Sequence, residues 1–379
     1  MKEAMRRPLG SNSLVSLFTL GSMRAASSQE AMYSVVKEAF QAGINHLETA
    51  PTYGPAESFL GSSIKRLEQE GMKPEGGWVI TSKILPGAEI KEGQRQIKKI
   101  LARLGKSKID NLAVHGLNLQ EHLNWAINGD GAELFKWAKQ ENMVNQIGFS
   151  SHGKTSLIKE ALSSHFFQFC SLHLHLFDQE RLPIAREALR EGIGVMAISP
   201  ADKGGRLYEP SQTLLNDCEP FHPLELAYRF LLAEGITTLT VGASKPSDLN
   251  LVKRLINSAN PLNPLENEVI ERLKSKAEKR LGENLCKQCK KCLPCPNNVP
   301  IPELLRLHNL AVGYELVTFA KERYNLIGRA GHWWEQLNST ACKKCGDCLP
   351  RCPEHLSIPD LLEETHKQLV DSPKRRLWG

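Results

Sequence analysis

Eight short apolar, β-branched runs alternating with eight longer helical-period segments, and eight of ten cysteines crowded into the last hundred residues, predict an α/β chain in two parts. The first is a (β/α)8 TIM barrel over residues 1–280, the second a small, mainly α-helical iron–sulfur domain over residues 281–379. A chain of 379 residues has room for one large buried core and one smaller one.

The strand runs are Leu14–Leu20, His46–Thr49, Trp78–Ile84, Asn111–His115, Gln146–Ser150, Phe169–Leu176, Gly194–Ser199 and Ile236–Gly242. Between them the periodicity lengthens to that of helices, at Ser28–Ala42, Glu57–Glu70, Lys91–Leu104, Ala132–Gln140, Thr155–Ser163, Leu182–Glu191, Pro223–Ala233 and Pro246–Ser258. Eight βα units of this size are a barrel's complement, and its chemistry belongs at the C-terminal ends of the strands. Gly192 to Ala197 matches the dinucleotide pattern G-x-G-x-x-A, but its glycines follow a helix and open a strand. A phosphate there would meet no helix N-terminus, so the match is set aside.

The cysteines fall as Cys286-x2-Cys289-x2-Cys292-x2-Cys295-Pro296 and Cys342-x2-Cys345-x2-Cys348-x3-Cys352-Pro353. Four thiolates in so short a run suit a [4Fe-4S] cubane, and the proline after the last turns the chain away, as in bacterial ferredoxins. A structural zinc site more often splits its ligands into two separated pairs. In two-cluster ferredoxins the fourth cysteine of each run serves the other cluster, which points to Cys295 and Cys352 as crossing ligands. The first run has x2 where that pattern has x3, so the crossing and the cluster count stay open. Each run leads into Ile-Pro-acid-Leu-Leu, at Ile301 to Leu305 and Ile358 to Leu362. This internal repeat reads as a helix start, with proline in the first turn and a carboxylate at the positive end of the dipole.

Cys170 and Cys218 are the only other cysteines, which fits a reducing compartment better than a disulfide-stapled secreted protein. No apolar run approaches a membrane span, and Met1 to Arg7 is polar and basic, so the expectation is a soluble, cytoplasmic protein. The net charge of +6 is too mild to argue for nucleic acid. Two [4Fe-4S]2+ clusters at about −2 each would bring it near +2. Lys287, Lys290, Lys291, Lys343, Lys344 and Arg351 lie among the cysteines with one acid, Asp347. They either offset cluster charge or form a docking face for an acidic electron carrier.

Glu48 and Tyr53 sit at and just after the second strand, Lys83 near the end of the third and His115 at the end of the fourth. All four would share one barrel mouth. There an ammonium beside Tyr53 lowers its pKa and a histidine shares its proton, making it a general acid, while a carboxylate holds the lysine charged. His173 and His175 alternate with Leu172, Leu174 and Leu176, so both face the barrel interior if the leucines face the helices.

Gly43-Ile-Asn-His-Leu-Glu-Thr-Ala-Pro-Thr-Tyr-Gly-Pro-Ala-Glu57, with Gly61 following, resembles the aldo/keto reductase signature. The resemblance covers about residues 8–258, and the C-terminal part is similar to the extension of a branch of that family with a ferredoxin-like 4Fe-4S domain. It implies that the Asp-Tyr-Lys-His tetrad falls on Glu48, Tyr53, Lys83 and His115, with Tyr53 donating the proton while a nicotinamide hydride reduces an aldehyde or ketone. It implies cofactor contacts at Ser150 and Ser151, a phosphate-wrapping loop at Ser199, Pro200, Lys203 and Gly204, and an adenosine-phosphate bend at Gly242, Ser244 and Lys245. Lys245 favours NADP(H), while Asp248 stands where many members keep an arginine. Leu172 and Ile198 replace the usual glutamine and aromatic.

A hydride delivers two electrons and a cluster accepts one, so direct transfer would need a mediator such as a flavin, for which no site is legible. Three functions therefore stay distinct. One is an NAD(P)H-dependent carbonyl reductase whose clusters are structural, sensing or electron-transferring. The second is a relay linked to an acidic carrier, a ferredoxin or flavodoxin. The third is a non-catalytic redox sensor. The loops name no substrate.

Overall fold

The computed structural model describes residues 4–372, so the basic tail Lys374-Arg375-Arg376, expected to be solvated, lies outside it. The chain divides into two compact units, one of Met1–Gly204 with Ala227–Leu262, the other of Gly205–Leu226 with Asn263–Gly379.

In the first unit, β1 (Arg6–Leu9) and β2 (Ser13–Ser16) form an antiparallel hairpin. They are followed by β3 (Phe18–Gly21), β4 (His46–Glu48), β5 (Val79–Ile84), β6 (Ile109–His115), β7 (Val144–Ser151), β8 (Phe169–His173), β9 (Gly194–Ile198) and β10 (Thr238–Gly242). These eight close a parallel barrel in the order β10-β3-β4-β5-β6-β7-β8-β9. The single strand expected at Leu14–Leu20 is thus two, broken at Leu17, and only its second half joins the barrel. The hairpin turns at Gly10, whose φ of +65° suits a residue without a Cβ. Its Leu9 and Val15 pack with Ala113, Phe169 and Met196, and Leu9 lies against Gly194 at the start of β9. The hairpin therefore plugs the N-terminal end of the barrel and leaves the other end as the mouth.

Above that plug lies a polar layer. Thr19 Oγ1 is 2.8 Å from Thr238 Oγ1 and 2.6 Å from His46 Nδ1, and His46 Nε2 is 2.7 Å from Thr81 Oγ1. Asn111 Nδ2 donates to Thr81 Oγ1 at 2.9 Å and Gln146 Nε2 to Asn111 Oδ1 at 2.7 Å. Burial lowers the His46 pKa to about 3, so the layer carries a neutral imidazole satisfied on both nitrogens. Because inward side chains recur every second residue, Glu48 stands one layer above His46 and Lys83 one above Thr81.

Helices fill the intervals largely where the periodicity puts them, for example Gln29–Gln41, Ala56–Gln69 and Ile90–Leu104. Gly61 is fixed by packing: a Cβ there would lie 2.6 Å from the Leu104 carbonyl oxygen. Two intervals differ from expectation. A further helix, Gln120–Asn128, precedes Asp130–Gln140 across an extended Gly129, and Pro246–Ser258 resolves into a 3-10 turn at Pro246–Leu249 and a helix at Asn250–Leu255.

The second unit contains the helices Gln212–Cys218, Pro264–Leu281, Ile301–Gly313, Val317–Tyr324 and Ile358–Leu369. The Ile301 and Ile358 helices both begin at the repeated phrase, with Pro302 and Pro359 in the first turn and Glu303 and Asp360 against the dipole. The segment 205–226 is stitched into this unit by charge. Buried Asp217 accepts from Lys276 at 2.9 Å and Arg280 at 2.6 Å, Arg206 pairs with Glu322, and Ser211 Oγ donates to the Tyr314 carbonyl at 3.0 Å. Among the described residues no helix is long and apolar enough to cross a membrane.

Candidate active site and metal centre

The four residues expected at the mouth come together. Lys83 Nζ donates to the Tyr53 hydroxyl at 2.6 Å and contacts the Glu48 carboxylate, and both Lys83 and Glu48 are almost fully buried. The Tyr53 hydroxyl is 3.5 Å from Glu48 Oε1, and the His115 ring stands edge-on to the Tyr53 ring, centroids 5.9 Å apart. Thr52 Oγ1 reaches His115 Nδ1 at 3.4 Å. Strand ends β4, β5 and β6 supply Glu48, Lys83 and His115, while Tyr53 hangs from the loop after β4. Glu57, in the same sequence motif, points elsewhere: it is buried and accepts from Ser82 at 2.7 Å and Arg103 at 2.6 Å, fastening helix to strand.

The electrostatics correct one expectation. The ammonium beside Tyr53 does not set the direction of its shift, because burial pushes its pKa up to about 12. Burial, then the charge of Lys203, pull Lys83 down to about 7, although Glu48 is in contact. His115 is driven to about 3 by burial, then by Lys83 and Lys203, so it is neutral at physiological pH. The cluster thus holds one proton-poor imidazole, one weakly acidic phenol and one ammonium that titrates near neutrality.

The residues implied for a nicotinamide cofactor are placed less uniformly. Ser150 Oγ accepts from Gly116 N at 3.0 Å, and Ser151 Oγ donates to the Leu117 carbonyl at 2.6 Å while accepting from Gly153 N at 3.0 Å. Both serines brace the loop after β6. Asn118, in that loop, accepts from His152 N at 2.7 Å, while its buried Nδ2 has no partner. This orphaned amide suits a carboxamide oxygen. Ser199 adopts a left-handed φ of 52°, Pro200 is buried, and Lys203 Nζ is 3.3 Å from His152 Nε2. Gly204 lies so near the His175 ring that a Cβ would come within 2.4 Å. His173 ends β8 and its ring meets that of His152 at 4.8 Å. His175 is already off the strand, held by Phe177 N donating to its Nδ1 at 3.0 Å. Only His173 therefore belongs to the strand alternation expected for the pair.

At the third segment, Ser244 N, Ser244 Oγ and Lys245 N converge on one oxygen of Asp248, at 2.9, 3.0 and 3.3 Å. The bend holds an oxyanion, supplied here by the chain's own carboxylate, so its donors fit a phosphate oxygen. Burial pushes the Asp248 pKa up, but donation from Ser244 and Lys245 outweighs it and holds the carboxyl below its ordinary value. The Arg24 side chain packs against Gly242, 2.7 Å from where a Cβ would stand. Sequence reasoning missed Arg24, Asn118 and His152, which lie in connections that carry no motif of their own.

In the second unit the eight cysteines line two cavities, four to each, and each four draws three from one run and one from the other. Cys286, Cys289, Cys292 and Cys352 line one cavity together with Ile301, Leu305 and Ile358. Cys295, Cys342, Cys345 and Cys348 line another with Val299 and Leu362. Each thiol set surrounds a space instead of meeting at a point, as a cubane with one iron per thiolate requires. The two runs share a backbone: Gln288 and Lys344, before the second cysteine, and Lys290 and Gly346, after it, all have φ between 52° and 84°. Asn298 and His355 repeat the match three residues past Cys295 and Cys352. Lys290 holds at a cost of roughly 1–2 kcal/mol a conformation that glycine takes freely in the other run. Lys287 pairs with Glu354 at 2.9 Å and Lys344 with Glu363 at 2.6 Å, so some of the interleaved cations are neutralised by neighbours.

The aldo/keto reductase family model matches residues 17–278, and the 4Fe-4S dicluster domain model matches residues 285–357. Among curated proteins the chain is 30% identical over 216 residues to "Uncharacterized oxidoreductase YqkF" of Bacillus subtilis (strain 168), covering 52% of this chain and 65% of that one. It is 26% identical over 181 residues to "Probable aldo-keto reductase 1" of Glycine max, covering 45% and 50%. The matched region spans less than two thirds of either relative. Among solved structures, aldo-keto reductase AKR11C1 from Bacillus halodurans (holo form) superposes with a TM-score of 0.61 at 21% identity, covering 71% of this chain and 96% of that one. Bombyx mori aldo-keto reductase AKR2E4 in complex with NADP gives 0.57 at 17%, covering 72% and 94%. At such identities the likeness is one of fold.

Proposed function

We propose, from the premise that this chain belongs to the aldo/keto reductase family, that its barrel is an NAD(P)H-dependent reductase of a small aldehyde or ketone with Tyr53 as the acid. The observation that carries this reading is the buried Lys83 ammonium donating to the Tyr53 hydroxyl at 2.6 Å, with Glu48 behind it and His115 beside it. When bound, the dinucleotide supplies a hydride to the carbonyl carbon.

Tyr53 gives its phenolic proton to the carbonyl oxygen as that oxygen gains charge. The phenol is a weak acid in its buried setting, so proton transfer needs the phenolate stabilised as it forms, and Lys83 is positioned to do that. Glu48 keeps the ammonium in place, and neutral His115 can donate a hydrogen bond to the same carbonyl oxygen. On this reading Asn118 orients the carboxamide, with Ser150 and Ser151 bracing its loop, while Ser199, Pro200, Lys203 and Gly204 wrap the phosphates. Gly242, Ser244 and Lys245 hold the adenosine phosphate, with Arg24 adding charge. The NADP complex of the Bombyx mori neighbour supports NADP(H) as the dinucleotide.

Tyr53→Phe separates this reading from a merely structural barrel. Carbonyl reduction should fall about 10²- to 10⁴-fold in kcat with dinucleotide affinity unchanged. Undiminished turnover would remove Tyr53 from the mechanism.

The dicluster unit supports a second activity, exchange of single electrons with an external carrier. The second cysteine of each quartet, Cys289 and Cys345, is solvent-exposed, which brings an edge of each cluster site to the surface.

A further inference from the structure

The residue by which the second cysteine run outgrows the first is Arg351, and we infer that it is the positioning residue that seats the borrowed ligand Cys295 in the second cradle. Cys292-Leu-Pro-Cys295 of the first run becomes Cys348-Leu-Pro-Arg-Cys352 in the second, so x2 grows to x3 by an arginine placed just before the lent Cys352. Its Nε donates to the Asp347 carbonyl of its own run at 2.8 Å. Nη1 and Nη2 both donate to the Pro294 carbonyl of the other run at 3.1 Å. Pro294 immediately precedes Cys295, and Arg351 lines the second cavity together with Cys295, Cys342, Cys345 and Cys348.

The inference rests on the crossed quartets and follows from what the loan requires. Cys342, Cys345 and Cys348 arrive on one short stretch of chain, whereas Cys295 belongs to the other run and has to be held across the gap between them. A planar fork with two N–H groups on one carbonyl and a third on another fixes direction as well as distance, which a single ammonium cannot do. It acts one peptide away from the thiol. Groups that orient a metal ligand in this way are worth about tenfold or more in metal retention.

The first cradle is secured by another route. Asn309, on the helix Ile301–Gly313, accepts from Cys286 N at 3.3 Å and donates through Nδ2 to the Cys286 carbonyl at 2.7 Å. The same position in the repeated helix is His366, whose Nδ1 lies 2.7 Å from the Tyr324 hydroxyl instead. Asn309 therefore ties the opening ligand of the first cradle, and Arg351 the borrowed ligand of the second.

Anaerobic release of iron from the reconstituted full-length protein to a ferrous chelator tests this. Arg351→Met keeps most of the stem and removes the donors. It should make release biphasic, with about half the iron leaving about tenfold faster than in wild type and the rest at the wild-type rate. Arg351→Lys, able to satisfy only one of the two carbonyls, should fall between the two. Asn309→Leu should speed the other half. In a Cys289→Ala background, which leaves the second cluster alone, Arg351→Met should also alter the EPR line shape of the dithionite-reduced protein; in a Cys345→Ala background it should not. Faster release of both halves in Arg351→Met would make the arginine a general brace of the unit, and unchanged release would remove it from either cradle; both results overturn the clasp while leaving crossed ligation standing. A Cys295→Ser protein that keeps the cluster of Cys342, Cys345 and Cys348 would overturn crossed ligation and the clasp with it.

Discussion

The barrel mouth and the cluster cradles solve the same problem, bringing distant side chains to one place, by opposite means. Glu48, Tyr53, Lys83 and His115 span 68 residues and meet because strand register fixes them, with the polar layer of His46, Thr81 and Asn111 setting the floor beneath. Seven positions separate Cys286 from Cys292 and Cys342 from Cys348 when both ends are counted, and each set of three is completed by one cysteine lent from the other run. The mouth is organised by the scaffold, each member held by its own strand end or loop. The cradles are organised by a reciprocal loan, so losing the fourth cysteine of one run should empty the cradle built mainly by the other.

The largest effect expected from this contrast is on metal content. Cys352→Ser should abolish the cluster held by Cys286, Cys289 and Cys292 although that run is intact, and Cys295→Ser the cluster held by Cys342, Cys345 and Cys348. Iron analysis and low-temperature EPR should show about half the iron in each variant. Loss of the cluster on the mutated run's own side instead would refute the crossed assignment.

A second effect should be confined to the mouth. Lys83 is pulled below its ordinary value, so its ammonium is present below about pH 7 and is lost as pH rises through that value. The kcat/KM for carbonyl reduction should therefore fall by up to about tenfold per pH unit above 7. Lys83→Arg, which keeps its charge, should extend the plateau toward pH 9; a profile unchanged by that substitution would assign the titration elsewhere.

The smallest effect concerns Asp248, whose carboxylate takes the donors of Ser244 and Lys245. Asp248→Asn removes the like charge that an incoming phosphate would meet. NADPH should bind about 3- to 10-fold more tightly by fluorescence titration, with NADH nearly unchanged. Equal gains for both dinucleotides would mean that the bend does not face the 2′-phosphate.

Much of this was legible in the sequence because the signals were local or periodic. Strand–helix alternation gave the eightfold barrel, and Ile301 and Ile358 open helices because proline and an acid in the first turn are sufficient cues. Glu48 and Tyr53 were identified within a motif and Lys83 and His115 by their places at strand ends, and register brought them together. What escaped depends on pairs far apart in sequence. Leu14–Leu20 reads as one strand because nothing local shows that β2 turns back on β1. The direction of the Tyr53 shift depends on burial, which a neighbouring lysine in the sequence does not reveal. Asp248 looked like a missing cation, and only the three-donor geometry shows it acting as the resident anion.

The segment 205–226 leaves the barrel after β9, folds with residues 263–379 and returns before β10. A polypeptide emerging from the ribosome would therefore carry this stretch, with Asp217 exposed, through the synthesis of some fifty further residues before Lys276 and Arg280 exist to pair with it. Gene fission at residue 262 would likewise leave the C-terminal half without segment 205–226, which the N-terminal half would carry with no fold of its own to join.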